Sequence, residues 1–209
     1  MRAFPNDRGG LSQREWSILG KLSTPEKIQD FLDTLPINFE EHGETYMSVA
    51  RTLNTKEAHC FEGALLAACC LWMQGEKPLL LDFKTHRDED HIVAPFKKGS
   101  YWGAISKTNH LVLRYRDPVF KTIRELAMSY FHEYFNAVGQ KSLRSYALFS
   151  LLHYNPKKWI SGERELFDVV EDIDSARHYP LLQKSAAGHL RKADPFVRRM
   201  SSITEWKKG

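Results

Sequence analysis

Cysteine is scarce in this chain, with three residues in 209, and two of them, Cys69 and Cys70, sit side by side in an apolar stretch. Such spacing builds no disulfide framework of the kind small secreted proteins depend on, so a reducing compartment is expected. No apolar run approaches the ~18 residues of a membrane span, and the segment from Met1 to Gly10 has no apolar signal core. These absences predict a soluble, cytoplasmic protein with no membrane association. Glycine-rich phosphate loops are missing too, because Gly9, Gly10 and Gly99 have neither the spacing nor the following helix. Internal repeats and low-complexity tracts are absent as well.

What is present suffices for one core. With 209 residues, 42% of them hydrophobic and 12% aromatic, a single domain over residues 1–183 is expected. The formal net charge is +4, and residues 184–209 hold seven Lys or Arg against Asp194 and Glu205. Basicity therefore belongs to the C-terminal segment. A solvated terminal segment is the plainest reading, an acidic partner is the one it would dock, and nucleic acid is not expected.

Helix signals dominate the first third. Leu11 to Leu22, with Trp16 and Leu19, reads as a short amphipathic helix. Thr24 caps a second, Pro25 suits its first position, and Ile28, Phe31, Leu32 and Leu35 recur at helical spacing until Pro36. Phe39, Tyr46, Val49 and Leu53 suggest another helix between Ile37 and Lys56. From Ala58 to Met73 the text is apolar on nearly every side, which predicts a helix buried in the core, ended by Gly75 and kept closed by Pro78. The period then changes. Pro78 to Phe83 reads as a buried strand, and His91 to Phe96 and Tyr101 to Ser106 as two strands joined by a four-residue loop, Lys97 to Ser100. Leu111 to Arg116 alternates apolar and basic residues, suggesting a third strand ended by Asp117-Pro118. Thr122 with Glu125 suggests a capping box for an aromatic-striped helix through Asn136. Leu143 to Leu152 suggests a further helix, Glu163 to Ile173 a last one, and irregular or weakly helical structure follows Pro180. The expected fold class is α+β: a buried helix beginning at a cysteine, packed on a small antiparallel sheet with flanking helices.

The chemistry centres on Cys60. It falls at the start of the buried helix, where unpaired N–H groups and the positive end of the macrodipole favour a thiolate. His91, 31 residues on, opens a strand and is the candidate base. The residue that would orient the imidazole has three candidates. Pairing Phe96 with Tyr101 puts Ser106 opposite His91; Asn109 offers a side-chain oxygen; Asp117 is the carboxylate alternative at the far end of the following strand. Asn109 is the first choice and Asp117 the alternative. Cys69 and Cys70 read as packing, and His59 as a surface residue, since neighbours along a helix point apart. His86, Asp88, Glu89, Asp90 and His91 are ligand types for a divalent metal, but one loop seldom completes a site. No metal or cofactor is expected.

These residues carry a resemblance. Cys60 at a helix start, Gly75 to Leu81 leading into a strand, Asp90-His91-Ile92-Val93-Ala94, and the Tyr101-Trp102 strand resemble the transglutaminase-like and papain-like cysteine hydrolase superfamily, over about residues 45–118. The stretches Trp102 to Asn109 and Arg124 to Phe131 are also similar to a group of bacterial proteins with which no substrate is associated. The resemblance implies a papain/transglutaminase-like core over residues 45–118 with a helical extension over 119–183. It further implies a Cys60-His91 site, in which Asn109 stands for the asparagine of papain-like enzymes, and a peptide, amide or ester substrate. The pattern departs at the third residue, because a transglutaminase-like core has an Asp where Ser106 falls. A non-catalytic member of the same fold, acting as a binding or protein-interaction module, is the alternative.

Overall fold

A computed structural model describes residues 3–208 of the chain. The first helices are set by their caps. Helix α1 (Gln13–Lys21) opens on a capping box between Ser12 and Glu15, and α2 (Pro25–Thr34) has the Thr24 hydroxyl on the Lys27 amide with proline at its start. Helix α3 (Val49–Thr55) is capped by Ser48 and stopped by Lys56 in the left-handed region, φ 61°. Helix α4 (Cys60–Met73) is the centre of the molecule, with every residue from Phe61 to Trp72 buried. Gly75, at φ 91°, turns the chain out of it.

Strands β1 (Leu79–Thr85), β2 (His91–Lys98), β3 (Tyr101–Ile105) and β4 (Arg116–Phe120) follow, then α5 (Ile123–Ser129), β5 (Leu143–Ser150), α6 (Pro156–Ile160), α7 (Phe167–Ser175), β6 (Tyr179–Pro180), α8 (Lys184–Ala187) and α9 (Pro195–Ser201). The six strands form one antiparallel sheet in the order β4-β3-β2-β1-β5-β6. The molecule is α+β. Leu80, Ile92, Ala94, Phe96 and Ile105 face α4, whereas Leu81, Phe83, Val93 and Ala104 lie in a second core with Leu126, Tyr130 and Tyr134. Because both faces of β1 and β2 are covered, these strands read as unbroken apolar runs rather than alternating ones.

Four expectations require correction. The β2–β3 turn has two residues, Gly99 and Ser100, with Lys98 opposite Tyr101, so Phe96 pairs with Gly103 and not with Tyr101. Gly99 takes φ 61°, as a tight hairpin requires. Leu111 to Arg116 is not a strand. Leu113 is left-handed at φ 63°, and its N–H donates to Glu133 Oε2 at 2.7 Å instead of to a ladder. The strand starts at Arg116 and contains Pro118, which β4 tolerates as the edge of the sheet. The aromatic helix stops at Ser129; Thr122 caps the Glu125 amide, but the Glu125 carboxylate reaches Lys121 N rather than closing the box. Finally, residues 119–183 are not a helical extension, since Leu143 to Ser150 forms β5 along the open edge of β1. Tyr146 and Phe149 suit a strand, and a central strand buried on both faces needs a hydrogen-bonding partner on each edge.

A candidate active site at the start of the central helix

The site is built where α4 begins. His59 is its N-cap, in extended conformation at φ −98° and ψ −167°, so its ring does not follow helical geometry. Its Nδ1 lies 3.1 Å from the Phe61 amide and 3.0 Å from Glu62 Oε2. Its Nε2 lies 2.9 Å from the Thr45 carbonyl and 3.2 Å from Glu40 Oε1. Glu62 is fully buried and closes the capping box by accepting from the His59 amide at 2.8 Å. Burial pushes its carboxyl upward, against the opposing pull of His59.

Cys60 is the first helical residue and is partly exposed. Burial penalises its thiolate, but hydrogen bonds and positive charge from His59 and His91 outweigh that and bring the thiol down to about 5. For His59 burial penalises the cation, yet Cys60, Glu62 and Glu40 outweigh it and raise the imidazole to about 10. Cys69 and Cys70, within the same helix, are driven upward by burial.

His91 opens β2, and its Nε2 lies 2.9 Å from Ser106 Oγ. The Ser106 hydroxyl donates to the Leu113 carbonyl at 2.6 Å, so Oγ accepts from His91 Nε2–H. That places a hydrogen on Nε2 and leaves Nδ1 as the nitrogen available to the Cys60 proton. Ser106 is itself gripped by Gln29 of α2, whose side chain donates to the Ser106 carbonyl at 2.8 Å and accepts from its amide at 2.9 Å. The sequence reading placed Asn109 on the imidazole with Asp117 as its alternative. Instead Asn109 Nδ2 donates to the Trp206 carbonyl at 3.0 Å and Oδ1 accepts from the Trp206 amide at 2.8 Å. Asp117 is exposed on β4.

Cys60, His59 and His91 line a cleft of about 660 Å³, flanked by Tyr46, Phe61 and Ile92. Its acidic wall is internally paired: Lys84 Nζ lies 2.8 Å from Asp90, 2.5 Å from Asp174 and 3.7 Å from Asp82. Asp82 Oδ2 also lies 2.8 Å from His178 Nε2. Asp90 further accepts from the Thr85 amide at 2.8 Å, which uses the acid the metal reading needed. Among the described residues no group of three His, Cys, Asp or Glu is arranged to hold a metal ion, and no helix is long and apolar enough to cross a membrane.

Two residues that the sequence reading missed hold the floor of the cleft. Lys107 is 1% exposed, and its ammonium caps the end of α2 on the Leu32 carbonyl at 3.0 Å and on the Leu35 carbonyl. Gly63 lets the Lys107 stem cross α4, since a Cβ there would stand 2.3 Å from Lys107 Cβ. A glycine inside an otherwise uniformly apolar helix is the signal that such a close approach leaves. No protein-family model matches the chain, and no curated protein matches it.

Proposed function

We propose that the protein is a thiol-dependent acyl-transfer enzyme, with Cys60 as nucleophile, His91 as the base and acid, and Ser106 as the residue that orients the imidazole. One observation carries this reading: a helix-start cysteine with its thiol lowered to about 5 shares an open cleft with a histidine whose far nitrogen is fixed by Ser106. The thiolate attacks the carbonyl carbon of an amide or ester, the C–S bond forms, and the C–N or C–O bond breaks as the imidazole gives its proton to the leaving group. Water or an amine then attacks the thioester carbonyl and gives its proton to His91, and the C–S bond breaks to release the acyl product and return the Cys60 thiolate. Hydrolysis, as in a peptidase or amidase, needs no second binding site. The Phe61 and Glu62 amides at the start of α4 go to the His59 side chain, so the backbone N–H of Cys60 itself is the donor for the developing oxyanion in this reading.

A transglutaminase-like core is the finer reading of the α+β fold. It is supported by the order of parts: a helix beginning at Cys60, then β1, then β2 opening on His91, then β3 running into Ser106. A second reading, a non-catalytic binding module on the same fold, is favoured by the hydroxyl that stands where such cores hold a carboxylate.

Trapping the acyl-enzyme separates the two. Brief mixing with a p-nitrophenyl ester, an acid quench and peptide mass mapping are expected to show one acyl group on Cys60, with a burst of p-nitrophenol. His91→Ala is expected to slow acylation by roughly 10²-fold or more. A Cys60 that acquires no acyl group, or acquires it equally fast without His91, would make the binding module the better reading.

A further inference from the structure

Ser106 sits where neither sheet ladder holds it. The β2–β3 pairing ends at Ala94 and Ile105, and the β3–β4 pairing at Ala104 and Arg116. A buried backbone N–H and C=O need partners, and one side chain supplies both. The Gln29 carboxamide accepts from the Ser106 amide at 2.9 Å and donates to the Ser106 carbonyl at 2.8 Å. Gln29 is buried on α2, 77 residues earlier in the chain. A carboxamide turned end for end would set N–H against N–H and oxygen against oxygen. Asp33, one turn further along α2, prevents that turn: its Oδ1 lies 2.8 Å from Gln29 Nε2, and a carboxylate only accepts, so the nitrogen must face it. Lys107, the residue after Ser106, returns the tie by donating to the Leu32 and Leu35 carbonyls at the end of α2.

We propose that Gln29 is a positioning residue of the site: by holding the Ser106 backbone it sets where the hydroxyl stands, and through that hydroxyl it keeps the His91 hydrogen on Nε2 and turns Nδ1 toward Cys60. This role rests on the acyl-transfer reading and deepens it by naming what holds the base in place. A carboxylate beside Nε2 would draw the N–H by charge from a range of positions, whereas a hydroxyl works by direction alone. The serine side chain rotates among three staggered wells. The Leu113 carbonyl, 2.6 Å away, selects the well, and Gln29 fixes the backbone from which that well points. The Leu113 carbonyl is itself anchored, since the Leu113 amide donates to Glu133. All three hydrogen bonds of the Gln29 carboxamide are with Ser106 and Asp33, so its effect on the imidazole passes through Ser106.

The test uses the whole chain and two readouts that a merely structural residue would not move. The first is a double-mutant cycle on acylation by a p-nitrophenyl ester. Gln29→Met keeps the volume and removes the hydrogen bonds; it is expected to slow acylation roughly tenfold with KM within about twofold. In a Ser106→Ala chain the same substitution is expected to cost less than about twofold, because the residue it acts through is gone. Losses that multiply overturn the proposal, and so does a Gln29→Met chain that acylates at the unaltered rate. The second readout is the 15N signal of the His91 ring in a Cys60→Ala chain at about pH 9, where no thiol proton is held on Nδ1 and the neutral ring is read. The Nε2–H tautomer is expected to dominate, and Gln29→Met to turn it into a mixture; a tautomer that ignores Gln29 overturns the proposal. If Gln29→Met does not fold, Asp33→Ala, on a half-exposed face of α2, carries both readouts, with about a threefold loss of acylation expected that vanishes in Ser106→Ala. If the unaltered chain acquires no acyl group, the acyl-transfer reading fails, while the ring signals still report whether Gln29 sets His91.

Discussion

One helix carries all three cysteines, and its two regions treat the same side chain in opposite ways. At the start of α4, Cys60 has an imidazole on either side and a cleft in front, and its thiol is brought down to about 5. Nine and ten residues on, Cys69 and Cys70 lie among Leu65, Leu66, Leu71 and Trp72, and burial raises both, with Cys70 adding to the rise at Cys69. Burial penalises all three thiolates. The difference comes from what burial is set against: at Cys60 two imidazoles outweigh it, and within the helix nothing does. The thiol's acidity is set by position, with the helix start and its neighbours deciding the direction of the shift.

The sharpest way to break this contrast is to exchange the cysteines one at a time. Cys60→Ala is expected to abolish iodoacetamide labelling below about pH 8 together with all acyl transfer. Cys69→Ala and Cys70→Ala are expected to keep both and to lower unfolding stability by about 1 kcal/mol each, read by chemical denaturation, as a small cavity opens in a packed core. Labelling that persists at neutral pH in Cys60→Ala would show that the interior thiols are not inert. Next in size is Ser106→Ala. It removes the acceptor from His91 Nε2 and the donor from the Leu113 carbonyl, and roughly a 10–100-fold fall in acylation rate is expected, with a smaller change in substrate KM. An unchanged rate would mean that the imidazole is oriented by something other than Ser106.

The same contrast explains how much could be read in advance. The placement of Cys60 at a helix start and of His91 at a strand start was legible because a buried helix with a clear stop and a strand beginning at a histidine are local patterns, written in period and punctuation. Ser106 was weighed below Asn109 because a hydroxyl is a poor substitute for a carboxylate, even though the four-residue loop, which the structure replaces with two residues, had put it opposite His91. Ser106 in fact lies just beyond the last paired residue of β3, Ile105, and reaches His91 from there. A rule for residues on a helix sent His59 to the surface, but an N-cap is extended and its side chain turns back over the first turn. Strand β5 was read as a helix because its apolar residues suit either period, and what decides between them is β1, more than 50 residues earlier in the chain. Neither Gln29 nor Lys107 carries a sequence signal of its role, since each acts by reaching across the fold to backbone atoms of a distant element.

The floor of the cleft offers a test of intermediate size. Gly63→Ala places a methyl group 2.3 Å from Lys107 Cβ, and because α4 and the Lys107 stem are both buried neither can move far. A loss of about 1–3 kcal/mol in unfolding free energy is expected. The alkylation profile of Cys60, three residues away and on the cleft side, should shift little in the fraction that remains folded. A thiol pKa that rises with this variant would show that the floor and the helix start are mechanically coupled.

The smallest effect is expected at Asn109, and it sharpens the assignment of Ser106. Asn109 lines the cleft, but its side chain is spent on both backbone groups of Trp206, alongside the Glu205 amide on the Asn109 carbonyl at 2.9 Å and the Leu111 amide on the Ile203 carbonyl at 3.2 Å. Arg114 and Glu205 add an ion pair at 3.0 Å. The basic C-terminal segment is thus tied to the rim of the cleft by its last described turns. Asn109→Ala removes two of those hydrogen bonds at a cost of about 1–2 kcal/mol, and the loss should be local, seen as faster amide exchange over residues 203–206 with the rest of the chain unchanged. Acylation of Cys60 should stay within about twofold of the unaltered chain, since no atom of Asn109 is spent on the imidazole. A fall as large as that of Ser106→Ala would return the orienting role to Asn109, and the Trp206 contact would then describe a closed state from which Asn109 must be released before the site can work.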